Sequence, residues 1–381
     1  MMTNDLPFEI ITIILMMLPT DSLVRFQCVC KAWRDLIRDS TFINQHLELR
    51  KSKGKGYLLS VLMDYDPDRT FSLLCDKTFE EALEIHIPFQ SAEMSLIVIG
   101  SCNGLLCLSD TQRYGTALYL CNPYIRRYRI INHPITGVGE SSDPKNDSIV
   151  LGFGYYDKTD DYKIVRVVAS DDEHDDDLDL SSKHCKTAEH TKVDVYSSIA
   201  NSWKNVVLES FPWSLFDVRS ELVVCDSIHW KAFYRDTNED VLAILTFHLG
   251  NETFGHIGLP NYEEDGEDLM EFVGLYKGKL SLFLFHQVDP QHPWQDHFCY
   301  LWVMMEYGVE SSWTKTLNIT VDPGIVRPLV FTRYDEIIFA DSEQDLVVCH
   351  FDSNTAKIIR LAERGYLNFT SYMDSLVLLE G

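Results

Sequence analysis

The sequence predicts a small all-α module of three helices followed by a mainly-β domain, read as a six-bladed β-propeller with a composite closing blade. Three observations carry that reading. Apolar residues recur at helical spacing through the first fifty positions. Beyond residue 56 the period becomes that of strands, with short apolar runs separated by turn residues. Within this second region one strand pair recurs along the chain, at roughly 45–60 residues per unit, the spacing of propeller blades.

In the first segment, Pro7 suits a first helical turn, and Asp5 and Glu9 lie near the positive end of that helix dipole. Ile11, Ile14, Leu15 and Leu18 follow at helical spacing until Pro19 stops the run. Thr20 or Asp21 is placed to cap a second helix from Ser22 to about Cys30. Val29, Ala32, Trp33, Leu36 and Ile37 fall at the offsets of a third amphipathic helix. Ile10, Ile13, Ile14, Met16 and Met17 make nearly every side of the first helix apolar. Fifty residues cannot hide that much apolar surface. It is buried either by another chain or by the domain that follows. Residues 50–56, Arg-Lys-Ser-Lys-Gly-Lys-Gly, read as a linker between a module at 1–49 and a domain at 57–381.

Six copies of the recurring pair are visible. They are Leu118–Leu120 with Arg127–Arg129, Val193–Tyr196 with Ser202–Lys204, and Leu245–Phe247 with Thr253–Gly255. The others are Leu301–Val303 with Ser312–Thr314, Leu346–Val348 with Ala356–Ile358, and Phe71–Leu74 with Leu83–Ile85. A second pair precedes most of them, as in Ile97–Gly100 with Leu105–Leu108, Leu151–Gly154 with Tyr162–Val165, and Phe272–Leu275 with Leu280–Phe283. Residues 369–379 read as the first two strands of a blade and residues 57–89 as its last, so joining them closes the ring and removes its edges. Five or seven blades are alternatives, as is a β-sandwich.

Composition bounds the function. Hydrophobic residues make up 45% and charged residues 24%, a globular balance. The ten cysteines are scattered, and the early apolar run from Ile10 to Leu18 is too short to span a bilayer. Reduced thiols in a cytoplasmic or nuclear protein are expected, with no membrane association. The formal net charge is −25, while residues 1–50 hold five Lys/Arg against six Asp/Glu. That sign repels phosphate backbones and attracts a basic protein partner; plain solubility is the alternative.

No Gly-x-Ser-x-Gly, phosphate loop or His-Glu-x-x-His motif is present, and neither a cofactor nor a metal is expected. Cys28-x-Cys30 has the wrong spacing for zinc and is read as packing. Gly152 and Gly154 are read as relieving a close approach, His229 and Trp230 as core, and Asn122-Pro123 as a turn. Residues 171–179 hold seven Asp/Glu in nine positions. Within them Asp175, Asp176 and Asp177 are candidates for holding a basic target. The links 133–148, 170–191, 260–270 and 286–297 are candidate target-binding loops.

Leu6-Pro7-Phe8-Glu9-Ile10-Ile11, Ile14-Leu15, Leu18-Pro19, Ser22-Leu23-Val24-Arg25-Phe26, Val29-Cys30-Lys31, Trp33-Arg34, Leu36-Ile37 and Phe42-Ile43 together resemble an F-box. The resemblance implies docking onto a Skp-type adaptor and, through it, a cullin. By position, Leu6, Pro7, Ile10, Ile14, Leu15, Leu18, Pro19, Leu23 and Val24 would supply that contact, with Trp33, Leu36 and Ile37 holding the module together. Gly100–Leu105, Asn122-Pro123, Leu151–Tyr155, Asp161–Arg166, Val195-Tyr196, Asn201–Lys204 and Leu301–Met305 with Trp313 resemble the F-box-associated domain of plant F-box proteins. They are most similar to the S-locus F-box and S-locus-F-box-like group. The implied function is the non-catalytic substrate-recognition subunit of an SCF-type ubiquitin ligase. In S-locus members the target is a basic secreted ribonuclease, which the acidic charge suits. The alternative is a non-ligase propeller scaffold whose helical module folds back on its own β-domain.

Overall fold

The computed structural model describes residues 6–53, 56–62, 70–86, 96–110, 117–132, 147–170, 191–208, 210–215, 219–220, 222–235, 240–262, 269–286, 297–321, 325–332, 334, 336–341, 345–350, 355–359 and 367–377. The helical module has four helices where three are expected: α1 (Phe8–Met16), α2 (Thr20–Phe26), α3 (Lys31–Ile37) and α4 (Ser40–Lys53). The fourth overrides the start of the expected linker. Asp39 Oδ1 accepts the backbone N–H groups of Thr41 and Phe42 at 3.0 and 3.2 Å and so caps the helix. Phe42, Ile43, His46 and Leu47 then form its buried stripe. Helix α3 starts two residues later than Val29, which lies outside it and is exposed. Neither Thr20 nor Asp21 caps α2, whose N-cap position is held by Pro19 with no side-chain bond.

The β-domain is a six-bladed propeller. Blade one is β4–β7 (Leu96–Cys102, Leu105–Asp110, Ala117–Asn122, Arg127–Asn132), and blade two is β8–β11 (Asp147–Tyr156, Asp161–Ser170, Lys192–Ser197, Ser202–Val206). Blade three is β12 (Trp213–Leu215), β14 (Val223–Val224), β15 (Ser227–Arg235), β16 (Asp240–His248) and β17 (Thr253–Gly258). Blade four is β18–β21 (Leu269–Tyr276, Lys279–His286, His297–Met304, Trp313–Val321), and blade five is β22–β25 (Ile325–Phe331, Glu336–Asp341, Leu346–His350, Thr355–Ile359). The closing blade runs β26-β1-β2-β3, pairing Leu367–Met373 from the C-terminal end with Gly56–Leu62, Thr70–Cys75 and Glu81–His86. One C-terminal strand enters it, where two are expected. Residues 374–377 leave the sheet and run between helical module and blade one.

Every recurring pair in the sequence maps to the third and fourth strands of a blade, and every preceding pair to the first and second. Blade three alone breaks the plan. Its inner strand is split into β12 and β14, and between them β13 (Arg219–Ser220) pairs in parallel with β8. Because β8 is otherwise the innermost strand of blade two, β13 takes up part of the central channel.

Blades stack through apolar faces. A Cβ on Gly152 would lie 2.6 Å from the Trp230 ring, so glycine is what allows blade three's indole to lie on blade two. Trp230 Nε1 donates to Leu151 O at 3.1 Å. The adjacent His229 is buried and its Nε2 lies 2.9 Å from the Tyr307 hydroxyl. Burial pushes this imidazole down to about 4. A folded-state pKa below the unfolded 6.5 means that the unfolded chain binds the proton first. Stability is therefore complete above pH ~6.5 and falls as the pH drops toward 4, by up to about 3 kcal/mol from this group. Urea melts between pH 7.5 and 4.5 are expected to show that loss, and His229→Gln to flatten it.

Candidate functional site

The helical module is seated on the propeller through α4. Leu15, Leu23, Ile37, Phe42, Ile43 and Leu47 share one core with Leu376 and Val377 and with blades one and two. Arg50 NH2 donates to Asp374 Oδ1 at 2.7 Å, and the carboxylate is only 3% exposed. His46 stacks on Phe42 and sits 3.0 Å from Leu18 O. Its burial holds the imidazole below its usual value. On the other side, Asn122 Nδ2 donates to the backbone carbonyls of Ser375 and Val377, both at 3.1 Å. The Tyr372 hydroxyl donates to Gly104 O at 3.2 Å. Asn122, read as a turn residue, is thus the latch for the chain's last described residues.

What α4 covers leaves one face of α1 open. Ile10, Ile13, Ile14 and Met17 sit at offsets 0, 3, 4 and 7, one side of a helix, and are between 43% and 67% exposed. Leu6, Phe8 and Val29 of the same module are exposed as well, at 57%, 49% and 59%. The opposite side of α1, Ile11 and Leu15, packs into the core. The α2–α3 turn beside the patch is pinned by Arg34 Nε to Gln27 O and Arg38 Nε to Gln27 Oε1, at 3.1 and 3.0 Å.

Burial divides the expected contact residues into two groups. Leu15 and Leu23 are 1% and 0% exposed, and no partner reaches them without unfolding the module. Leu18 and Val24 are half-buried against the same core. Leu6, Pro7, Ile10, Ile14 and Pro19 are exposed. Ile13 and Met17 belong to the open face although neither was among the expected contacts. The notion that this module folds back on its own β-domain is half right: α4 does so, and the outer face of α1 does not.

A helical module with this open face, joined to a six-bladed propeller, matches two families. The F-box domain covers residues 4–45, and the F-box associated beta propeller domain covers residues 60–375, most of the chain. The chain belongs to the F-box associated β-propeller family. Its similar relatives include an F-box/kelch-repeat protein of Arabidopsis thaliana, 28% identical across 86% of this chain and 82% of that protein. The F-box protein CPR1 of the same plant is 26% identical across 93% of this chain and 84% of its own length.

Antiparallel pairing fixes the two rims of the propeller. First-to-second and third-to-fourth strand turns lie at the rim that carries the F-box, since Gly56 pairs with Met373 there. Second-to-third and blade-to-blade links join strand ends at the opposite rim. The turns at the F-box rim include Asn103–Gly104, Cys225–Asp226 and Lys277–Gly278, each with two left-handed residues, as a type I′ hairpin requires. Asp175, Asp176 and Asp177 lie outside the described residues. The strands on either side of them, β9 and β10, end at the rim away from the F-box: Ser170 pairs with Asp147, and Lys192 with Val168. Among the described residues no group of three His, Cys, Asp or Glu is arranged to hold a metal, and no helix is long and apolar enough to cross a membrane.

Proposed function

We propose that this protein is the substrate-recognition subunit of an SCF-type ubiquitin ligase. The observation that carries the reading is the open apolar face of α1 inside a matched F-box, on a module whose other side is already occupied by its own propeller. An amphipathic helix laid into a hydrophobic groove is a standard mode of protein docking. Here the groove belongs to a Skp-type adaptor, which bridges to a cullin. The subunit performs no bond chemistry. It holds a target close to a recruited conjugating enzyme, and the raised effective concentration at a target lysine does the rest.

The propeller supplies the second contact, to a protein target in the cytoplasm or nucleus. Its acidity supports a basic target, a class that includes the ribonucleases captured by S-locus members. Affinity purification of the full chain from plant extract is expected to recover a Skp-type adaptor and a cullin together. Recovery of neither, from a folded protein, would leave a propeller scaffold outside the ligase system.

A further inference from the structure

Three rings from separate strands of blade three meet on its blade-two side. Trp213 is the first residue of β12, Tyr234 lies at the end of β15, and His256 is on β17. The Trp213 and Tyr234 centroids are 4.9 Å apart, and those of Trp213 and His256 are 5.3 Å apart. Tyr234 and His256 lie within 9° of parallel, at 6.1 Å. Trp213 is anchored in the core between blades two and three, whereas Tyr234 and His256 are exposed. Val241, opposite Tyr234 in the sheet, is exposed beside them.

The cluster stands toward the rim away from the F-box, because Trp213 pairs with Tyr234 and Tyr234 with Val241 at the strand ends on that side. In the amino-acid sequence, the links that join strand ends at this rim are far more acidic than those that join strand ends at the other. The twelve links between strand ends there hold 28 Asp/Glu and 7 Lys/Arg, a net of −21. The turns at the F-box rim hold 10 and 5, a net of −5. Most of the sequence's net negative charge therefore lies in the links whose flanking strands end at the rim of the rings. A π surface in a negative field favours one kind of visitor, a cation that can also stack. The planar, weakly hydrated guanidinium of arginine meets both conditions better than the ammonium of lysine.

We propose that Trp213, Tyr234 and His256 form an anchor site for an arginine side chain on a basic protein target. The proposal deepens the ligase reading by naming the chemistry of the captured surface, and it rests on that reading. Acidic links draw the target in, and the rings hold one guanidinium in place.

The test uses the full chain and a dye-labelled peptide of alternating glycine and arginine, followed by fluorescence polarisation. A second peptide carries citrulline, which keeps the shape and removes the charge. Wild type is expected to bind the arginine peptide and not the citrulline one. Tyr234→Leu and His256→Leu, which keep apolar bulk, are expected to weaken it about 5- to 30-fold together, the range of a partly desolvated cation–π contact. Because Tyr234 and His256 are exposed, both variants are expected to melt with wild type; a variant that does not is replaced by Tyr234→Ser. Absence of arginine-peptide binding overturns the proposal. So does unchanged affinity in the folded variants, which would mean that acidity alone attracts the peptide. Adaptor binding is measured in parallel, so failure of the ring site and failure of the ligase reading are separable.

Discussion

Replacing Ile14 and Met17 together by alanine is expected to weaken binding to a Skp-type adaptor by about 100-fold, with little change in melting temperature. Both side chains stand on the open face of α1, at 47% and 67% exposure. An apolar residue at the centre of a docking face contributes roughly 1–2 kcal/mol when truncated, and two neighbours together reach roughly 2–4 kcal/mol, the range that holds the ~2.7 kcal/mol of a hundredfold loss. Neither residue packs into the module's core, so the folded state loses little. Leu15→Ala is the matched contrast. Leu15 is only one residue away but 1% exposed, and its truncation is expected to cost about 2–5 kcal/mol of stability through a core cavity. Calorimetric binding to purified adaptor, with thermal melts of all three proteins, checks both statements. If Ile14→Ala/Met17→Ala binds as wild type does, the open face is not the docking face.

That contrast marks where sequence reasoning reached its limit. Helix α1 is apolar on almost every side, so periodicity could not orient it. Only its packing against the rest of the module separates Ile11 and Leu15 from Ile13 and Met17. Strands were easier, because the third and fourth strands of each blade alternate or run continuously apolar and are joined by short turns. All six such pairs were legible, from Phe71–Ile85 to Leu346–Ile358. The inner strand of blade three was not. Its two fragments, β12 and β14, are three and two residues long, and β13 between them is held by a neighbouring blade, which no local pattern encodes. Helix α4 was hidden by its ending, because Arg50, Lys51, Ser52 and Lys53 look like a linker while Arg50 in fact reaches a buried carboxylate. The ring cluster was invisible for the same reason, since Trp213, Tyr234 and His256 are spaced over 44 positions on three strands.

Asn122→Ala is expected to destabilise the protein by about 3 kcal/mol and to loosen the F-box from its propeller. The residue is fully buried at the end of β6, and its carboxamide works in both directions. Its Oδ1 accepts the Tyr124 N–H at 3.1 Å, while Nδ2 reaches Ser375 O, Ser375 Oγ and Val377 O. Alanine strands two buried carbonyls about 250 residues away in the chain, and each orphaned acceptor costs roughly 1–3 kcal/mol. The residues it holds also carry Asp374, the partner of Arg50, together with Leu376 and Val377, which belong to the core shared with the F-box. Loss of the latch therefore acts on orientation as well as stability: the F-box can still fold and bind adaptor, but its bearing relative to the far rim is no longer fixed. Hydrogen exchange is expected to show faster exchange in α4 and residues 374–377, with α1 and α2 little changed. Equal exchange in α4 and wild-type melting would mean that the apolar contacts of Leu376 and Val377 suffice to hold the joint. If the proposed ligase role holds, an assembly built on this variant is expected to bind the same partners and to ubiquitinate target lysines less selectively.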